Sequence, residues 1–126
     1  MLEQKPNGTG IIRILKAFRC SMLGFKAAYL NEAAFRQELL FVCLLLPVSF
    51  FVADNAIQLS ALICSLLFLL LVEVINSAIE AVVDRVSLDH HELSGRAKDL
   101  GSSAVFLALL IVVLVWLGII YHNFLA

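Results

Sequence analysis

Residues 60–85 read SALICSLLFLLLVEVINSAIEAVVDR, and this stretch decides the fold. It opens inside an uncharged apolar run that extends from Ala56 to Val72. The apolar positions then continue at helical spacing through Ile75, Ala78, Ile79 and Val82. A run of this length and composition reads as a membrane-crossing helix. Glu73 follows directly on it. A carboxylate there costs on the order of a few kcal/mol if it faces lipid, so such residues usually face a bundle interior and mark function. Glu73, Asn76, Glu80 and Asp84 are spaced 3, 4 and 4 residues apart. At about 100° per residue they form one narrow stripe, with Ser77 beside it. Like charges this close repel one another. A divalent cation such as Mg²⁺ would offset the repulsion, since hard oxygen ligands suit it. Basic residues from another helix, or a proton path, would do so too. The residues alone leave all three open.

Two further apolar runs flank this helix. Leu39 to Ala53 is short for a bilayer, but extending it back through Ala33, Ala34 and Phe35 gives an adequate span. Pro47 inside it predicts a bend, and Asp54-Asn55 predicts a tight turn. Ala104 to Tyr121 forms the last run, with Trp116 and Tyr121 placed as interfacial aromatic anchors. The expected spans are residues 33–53, 56–83 and 100–121. Ahead of them, Ile11, Ile14, Leu15, Phe18, Met22 and Phe25 recur at helical spacing, with Arg13, Lys16, Arg19 and Lys26 largely between them. That pattern predicts an amphipathic basic helix over residues 10–29, lying in the membrane interface. Residues 1–9 read as a loose tail, and no cleavable signal peptide is visible.

Composition agrees. The 126 residues suit one domain, 1–126, and 62% are hydrophobic against 15% charged. Soluble domains average about 45–50% apolar and about 25% charged. The net charge of −1 gives no case for nucleic acid. Cys20, Cys43 and Cys64 are odd in number and widely spaced, and read as small apolar packing residues rather than a disulfide or zinc set. All nine basic residues precede the first span or lie between the second and third. The N-terminus and the 84–103 stretch therefore belong in the cytoplasm and the C-terminus outside.

Two other polar clusters lie on that cytoplasmic side. Asn31, Glu32, Arg36, Gln37 and Glu38 precede the first span. Glu32 and Arg36 could pair at i,i+4, or Glu32 could join Glu80 around one ion. Residues 89–103, DHHELSGRAKDLGSS, read as a loop with Lys98 for phosphate, Asp99, Gly95 and Gly101. Ser94 is the expected cap of the next helix. His90 and His91 read as surface residues. Neither a GxxxxGK[ST] phosphate loop nor a GxGxxG turn is present, and no protein-kinase HRD or DFG element appears.

The segments NEAAFRQE (31–38), VEVINSAIEAVVDR (72–85) and HELSGRAKDLGS (91–102) closely resemble the prokaryotic integral-membrane diacylglycerol kinase family. The resemblance runs from Arg13 to His122. It implies an all-α homotrimer in a bacterial inner membrane, each subunit with a surface helix and three spans, and active sites between subunits. It implies transfer of the γ-phosphoryl group of MgATP to diacylglycerol. By the family pattern Glu73 matches the catalytic base, with Asn76 positioning groups between Glu73 and Glu80. Glu32 and Glu80 match the Mg²⁺ ligands at the nucleotide. Arg13, Cys20, Asp89, His90, His91, Lys98 and Asp99 fall at nucleotide-site positions. Arg13, Ser21, Glu38 and Ser102 fall at lipid-contact positions. This chain departs from the pattern at Cys20, where familiar members carry tyrosine, at Met22, which replaces an aromatic, and at Asp89-His90, which replaces a glutamate–tyrosine pair. The rivals are an undecaprenol kinase of the same superfamily and a small non-enzymatic transporter.

Overall fold

The computed structural model describes residues 8–126. The expected tail at 1–9 lies mostly outside these described residues. Four α-helices follow in order: α1 (Ile11–Asn31), α2 (Ala33–Val52), α3 (Ala56–Val86) and α4 (Glu92–Ile120). A short π-helical turn, Tyr121–Leu125, ends the chain. No strand occurs among the described residues. α2, α3 and α4 are each long and apolar enough to cross a membrane. α1 is the amphipathic helix that the sequence predicts. Its apolar residues Ile11, Ile14, Leu15, Phe18, Met22 and Phe25 are all exposed, and Ala28 alone is buried. An uncovered apolar face flanked by basic residues suits the membrane interface.

The joints are short and each has a hydrogen-bonding cause. Glu32 is the one extended residue between α1 and α2, at φ −115° and ψ 108°. The Arg36 guanidinium reaches back across this corner and donates to the carbonyls of Tyr29 (2.7 Å) and Leu30 (3.4 Å). These are last-turn carbonyls of α1, which lack partners within their own helix. Glu32 and Arg36 therefore do not form the i,i+4 pair that their spacing allows. At the predicted Asp54-Asn55 turn, the Asn55 side chain accepts from the Gln58 N–H at 2.9 Å. Gln58 Oε1 accepts from the Asp54 N–H at 2.8 Å. This reciprocal arrangement starts α3 as a capping box does.

The polar stretch after α3 is largely helical, and only residues 87–91 connect α3 to α4. α4 begins well ahead of the apolar run because its first turns stand in water and need no apolar face. Glu92 and Arg96 pair at i,i+4, 3.1 Å apart. The cap is His91 rather than Ser94: the imidazole Nδ1 accepts from the Leu93 N–H at 3.1 Å. α2 runs unbroken through Pro47. Trp116 is not an interfacial anchor. It is only 7% exposed. Its indole N–H donates to Ser65 Oγ (3.2 Å), and that hydroxyl donates to the Leu62 carbonyl (2.7 Å). Buried indoles usually find such a partner. Around this pair Val42, Val52, Leu62, Leu66, Leu69, Ala108 and Val112 make the core. The three cysteines are exposed rather than packed inside the chain.

Candidate active site

The antiparallel α2, α3 and α4 bring three sequence-distant polar clusters to one end of the bundle. α3 contributes the acid stripe. Glu73 is 3% exposed and Asn76 8% exposed, so both stand inside the protein as their cost in lipid demands. Glu32 arrives from the α1–α2 corner, held there by the Arg36 bonds. Ser102 arrives from α4. Glu32, Ala34, Glu73, Asn76, Glu80, Ser102 and Val105 together line one open pocket of about 250 Å³. Glu80 and Glu32 both lie within electrostatic reach of Glu73. Glu38 on α2 does too, and its Oε2 is buried without a hydrogen-bond partner. Asn76 Oδ1 and Ser77 Oγ are likewise buried and unpaired. Unsatisfied polar atoms of this kind are uncommon in folded proteins and call for an explanation such as a catalytic role.

The acid stripe divides in two. Its outer member, Asp84, is neutralised from another helix: Lys98 Nζ sits 2.7 Å from Asp84 Oδ1. Both side chains are about half exposed. Among the described residues no ion pair reaches Glu32, Glu73 or Glu80. Structural pairing thus accounts for Asp84, and the same Lys98 charge also acts on Glu80 without touching it, which leaves Glu73 and Glu32 without a cation in contact. Among the described residues no group of three or more His, Cys, Asp or Glu comes together as a metal cage. Mg²⁺ needs no such cage, because it is commonly held by one or two carboxylates together with substrate phosphates. Glu32 and Glu80, facing one pocket, meet that requirement by their donor chemistry.

The residues expected at a nucleotide site sit in other pockets of the chain. Asp89, His90, His91 and Lys98 share one of about 140 Å³ with Asp84 and Ser94. Asp99 lies on another side of α4, in a pocket of about 420 Å³ with His90, His91 and Arg96. Arg13 and Cys20 share a pocket of about 220 Å³ with Lys16 and Ala17 on α1. Within one chain these groups are brought near the acid pocket only in part. Ser21 is exposed on α1, its hydroxyl donating to the Ala17 carbonyl at 3.1 Å. Two contributors escape a sequence reading. Arg36 looks like half of a surface ion pair but staples the corner that carries Glu32. Gly101 looks like a loop residue but lies buried in α4 against Asn76.

Positions 19–120 match the family model for prokaryotic diacylglycerol kinase. The chain is 47% identical over 118 residues to a diacylglycerol kinase of Escherichia coli K12, covering 94% of this chain and 97% of that protein. It is 45% identical over 113 residues to a diacylglycerol kinase of Haemophilus influenzae, covering 90% and 96%. A diacylglycerol kinase of Helicobacter pylori 26695 is 32% identical over 114 residues, covering 90% and 89%.

Proposed function

The chain belongs to the prokaryotic diacylglycerol kinase family, and from that premise we propose that it transfers the γ-phosphoryl group of MgATP to diacylglycerol, giving phosphatidate and ADP. The observation that carries the reading is the single pocket that gathers a buried Glu73 with Asn76, Glu80, Glu32 and Ser102. A carboxylate buried at the end of a spanning helix stands where a lipid hydroxyl arrives from the bilayer and a nucleotide from water.

In this mechanism the hydroxyl oxygen of diacylglycerol attacks the γ-phosphorus. The new P–O bond forms as the bond to the β–γ bridging oxygen breaks, and ADP leaves with that electron pair. Glu73 accepts the hydroxyl proton. Asn76 holds the reacting groups between Glu73 and Glu80. Glu32 and Glu80 would hold Mg²⁺. When bound, that ion draws phosphate oxygens together and offsets their charge. Lys98 has three N–H donors, so one can stay on Asp84 while the others meet phosphate. Arg13, Cys20, Asp89, His90, His91 and Asp99 surround the nucleotide, and Arg13, Ser21, Glu38 and Ser102 meet the lipid. The spread of these positions over separate pockets supports a site completed between subunits of a homotrimer. Residues 1–126 act as one kinase domain in a bacterial inner membrane. The clustering of basic residues at the acid end supports a cytoplasmic active site and an outward C-terminus.

The test is phosphate transfer from radiolabelled ATP with Mg²⁺, in detergent with diacylglycerol or undecaprenol. Glu73→Gln keeps the shape and removes the base. The expected result is transfer to diacylglycerol, with a loss of at least about 100-fold in kcat in the variant while nucleotide binding persists. Preference for undecaprenol would keep the chemistry and change the acceptor. No transfer to either lipid by a folded sample would overturn the kinase reading.

A further inference from the structure

The buried stripe of α4 changes size along its length. Gly101, Ala108, Val112 and Trp116 follow one another on the face turned to the core. Side-chain bulk is therefore least at Gly101, beside the acid pocket, and greatest at Trp116 at the far end, with the half-buried Val105 between Gly101 and Ala108. At the far end the gap between α3 and α4 is wide enough for an indole bonded to Ser65. At the near end a methyl group fits only if the Asn76 amide moves: a Cβ built on Gly101 would overlap the Asn76 side-chain oxygen. The three nearest atoms that it would meet all belong to Asn76. The amide thus occupies the space that any other residue at 101 would fill. Its oxygen is buried there with no hydrogen-bond donor, and Asn76 lines the pocket beside Glu73 and Glu80.

We infer that Gly101 is a positioning residue for the phosphoryl transfer, holding the Asn76 amide in register with Glu73 and Glu80 through the absence of its side chain. The inference rests on the kinase reading for its catalytic consequence but not for its structural one. Helix α4 offers the amide a flat backbone wall, and α3 supplies the amide from a neighbouring turn. A methyl at 101 drives the amide off this wall and into the pocket, where it displaces a reacting group rather than the helix. Misplacement by about 1 Å can cost on the order of 100-fold in rate. The same substitution on an exposed helix face would do the opposite, since alanine is the better helix former.

The experiment uses four full-length proteins in detergent micelles: the parent, Gly101→Ala, Asn76→Ser and the double variant. Each is measured for kcat, for KM toward MgATP and lipid, and for thermal unfolding. Gly101→Ala is expected to lower kcat roughly 10- to 100-fold with both KM values within about threefold of the parent. It should lower the unfolding midpoint when Asn76 is present and not when it is combined with Asn76→Ser, because serine leaves the space empty. If Gly101→Ala does not fold, a folded double variant supports the coupling and an unfolded one overturns it. Parental kcat in Gly101→Ala, or an equal loss of stability with and without Asn76→Ser, would also overturn it. A parent without kinase activity would remove the reading of the reaction, while the stability coupling would still decide whether Gly101 seats Asn76.

Discussion

Asp84 and Lys98 lie 14 residues apart in sequence and meet across the α3–α4 connection at 2.7 Å. Both are about half exposed, so the pair is worth no more than about 1 kcal/mol to stability. In the proposed mechanism the pair aims the ammonium group at phosphate. Asp84→Asn should leave the unfolding midpoint nearly unchanged and raise KM for MgATP by no more than about threefold, since the amide oxygen still accepts a bond. Lys98→Met should raise it by at least about 30-fold, because a charge-assisted phosphate contact contributes roughly 2 kcal/mol. Nucleotide titration of both variants checks this, and equal effects would mean that the pair acts only as a strut. Glu73 was legible from sequence because a carboxylate in an apolar run is costly wherever it points. The Asp84 partner was not. A period of 3.6 residues reports which residues share a face of one helix. It says nothing of what stands opposite.

At the scale of the helices the joints carry the information. The α1–α2 corner turns on one extended residue, Glu32, fixed by the Arg36 bonds to Tyr29 and Leu30. Spacing suggested a Glu32–Arg36 pair. The free carbonyls at the end of α1 take the same guanidinium, because two of them converge on it at this corner. This outcome keeps the Glu32 carboxylate available to the pocket. Arg36→Ala should therefore cost about 0.5–1.5 kcal/mol of stability and also weaken Mg²⁺-dependent activation, since Glu32 loses its fixed backbone. Arg36→Lys, with one donor group in place of a fork, should recover most of the stability and part of the activation. A Mg²⁺ titration of kcat alongside thermal unfolding separates the two effects. The length of α4 was also hidden. Hydropathy marks where a helix enters lipid, and a helix that rises into water continues with polar residues. His91, Glu92 and Arg96 sustain it there by a cap and an ion pair.

Across the whole molecule, the two ends of the bundle do different work. One end holds the acid pocket. The other is closed by a side-chain lock: Asn123 Nδ2 donates to the Val52 carbonyl (2.7 Å) and to Gln58 Oε1 (2.8 Å). Gln58 Nε2 in turn donates to Asn123 Oδ1 at 3.0 Å. This network ties the π-helical turn at the C-terminus to the α2–α3 turn, 65 and 71 residues away in sequence. The sequence offers Asn123 only as a polar residue past an apolar run, so the lock was invisible, whereas the number and order of the spans were plain from the apolar runs. Asn123→Ala removes both amide atoms and leaves the Gln58 side chain and the Val52 carbonyl without these partners. Each lost bond is worth about 1 kcal/mol. A chain of 126 residues loses about 4 °C in unfolding midpoint per kcal/mol. The variant should therefore unfold clearly earlier than the parent. Its kcat and KM at a temperature well below that midpoint should be unchanged, because the Trp116–Ser65 pair and the leucines at 62, 66 and 69 lie between the lock and Glu73. Parallel unfolding and kinetic measurements decide it. A kcat that falls together with the midpoint would mean that the two ends move as one body, and that the acid pocket depends on the closure of the far side.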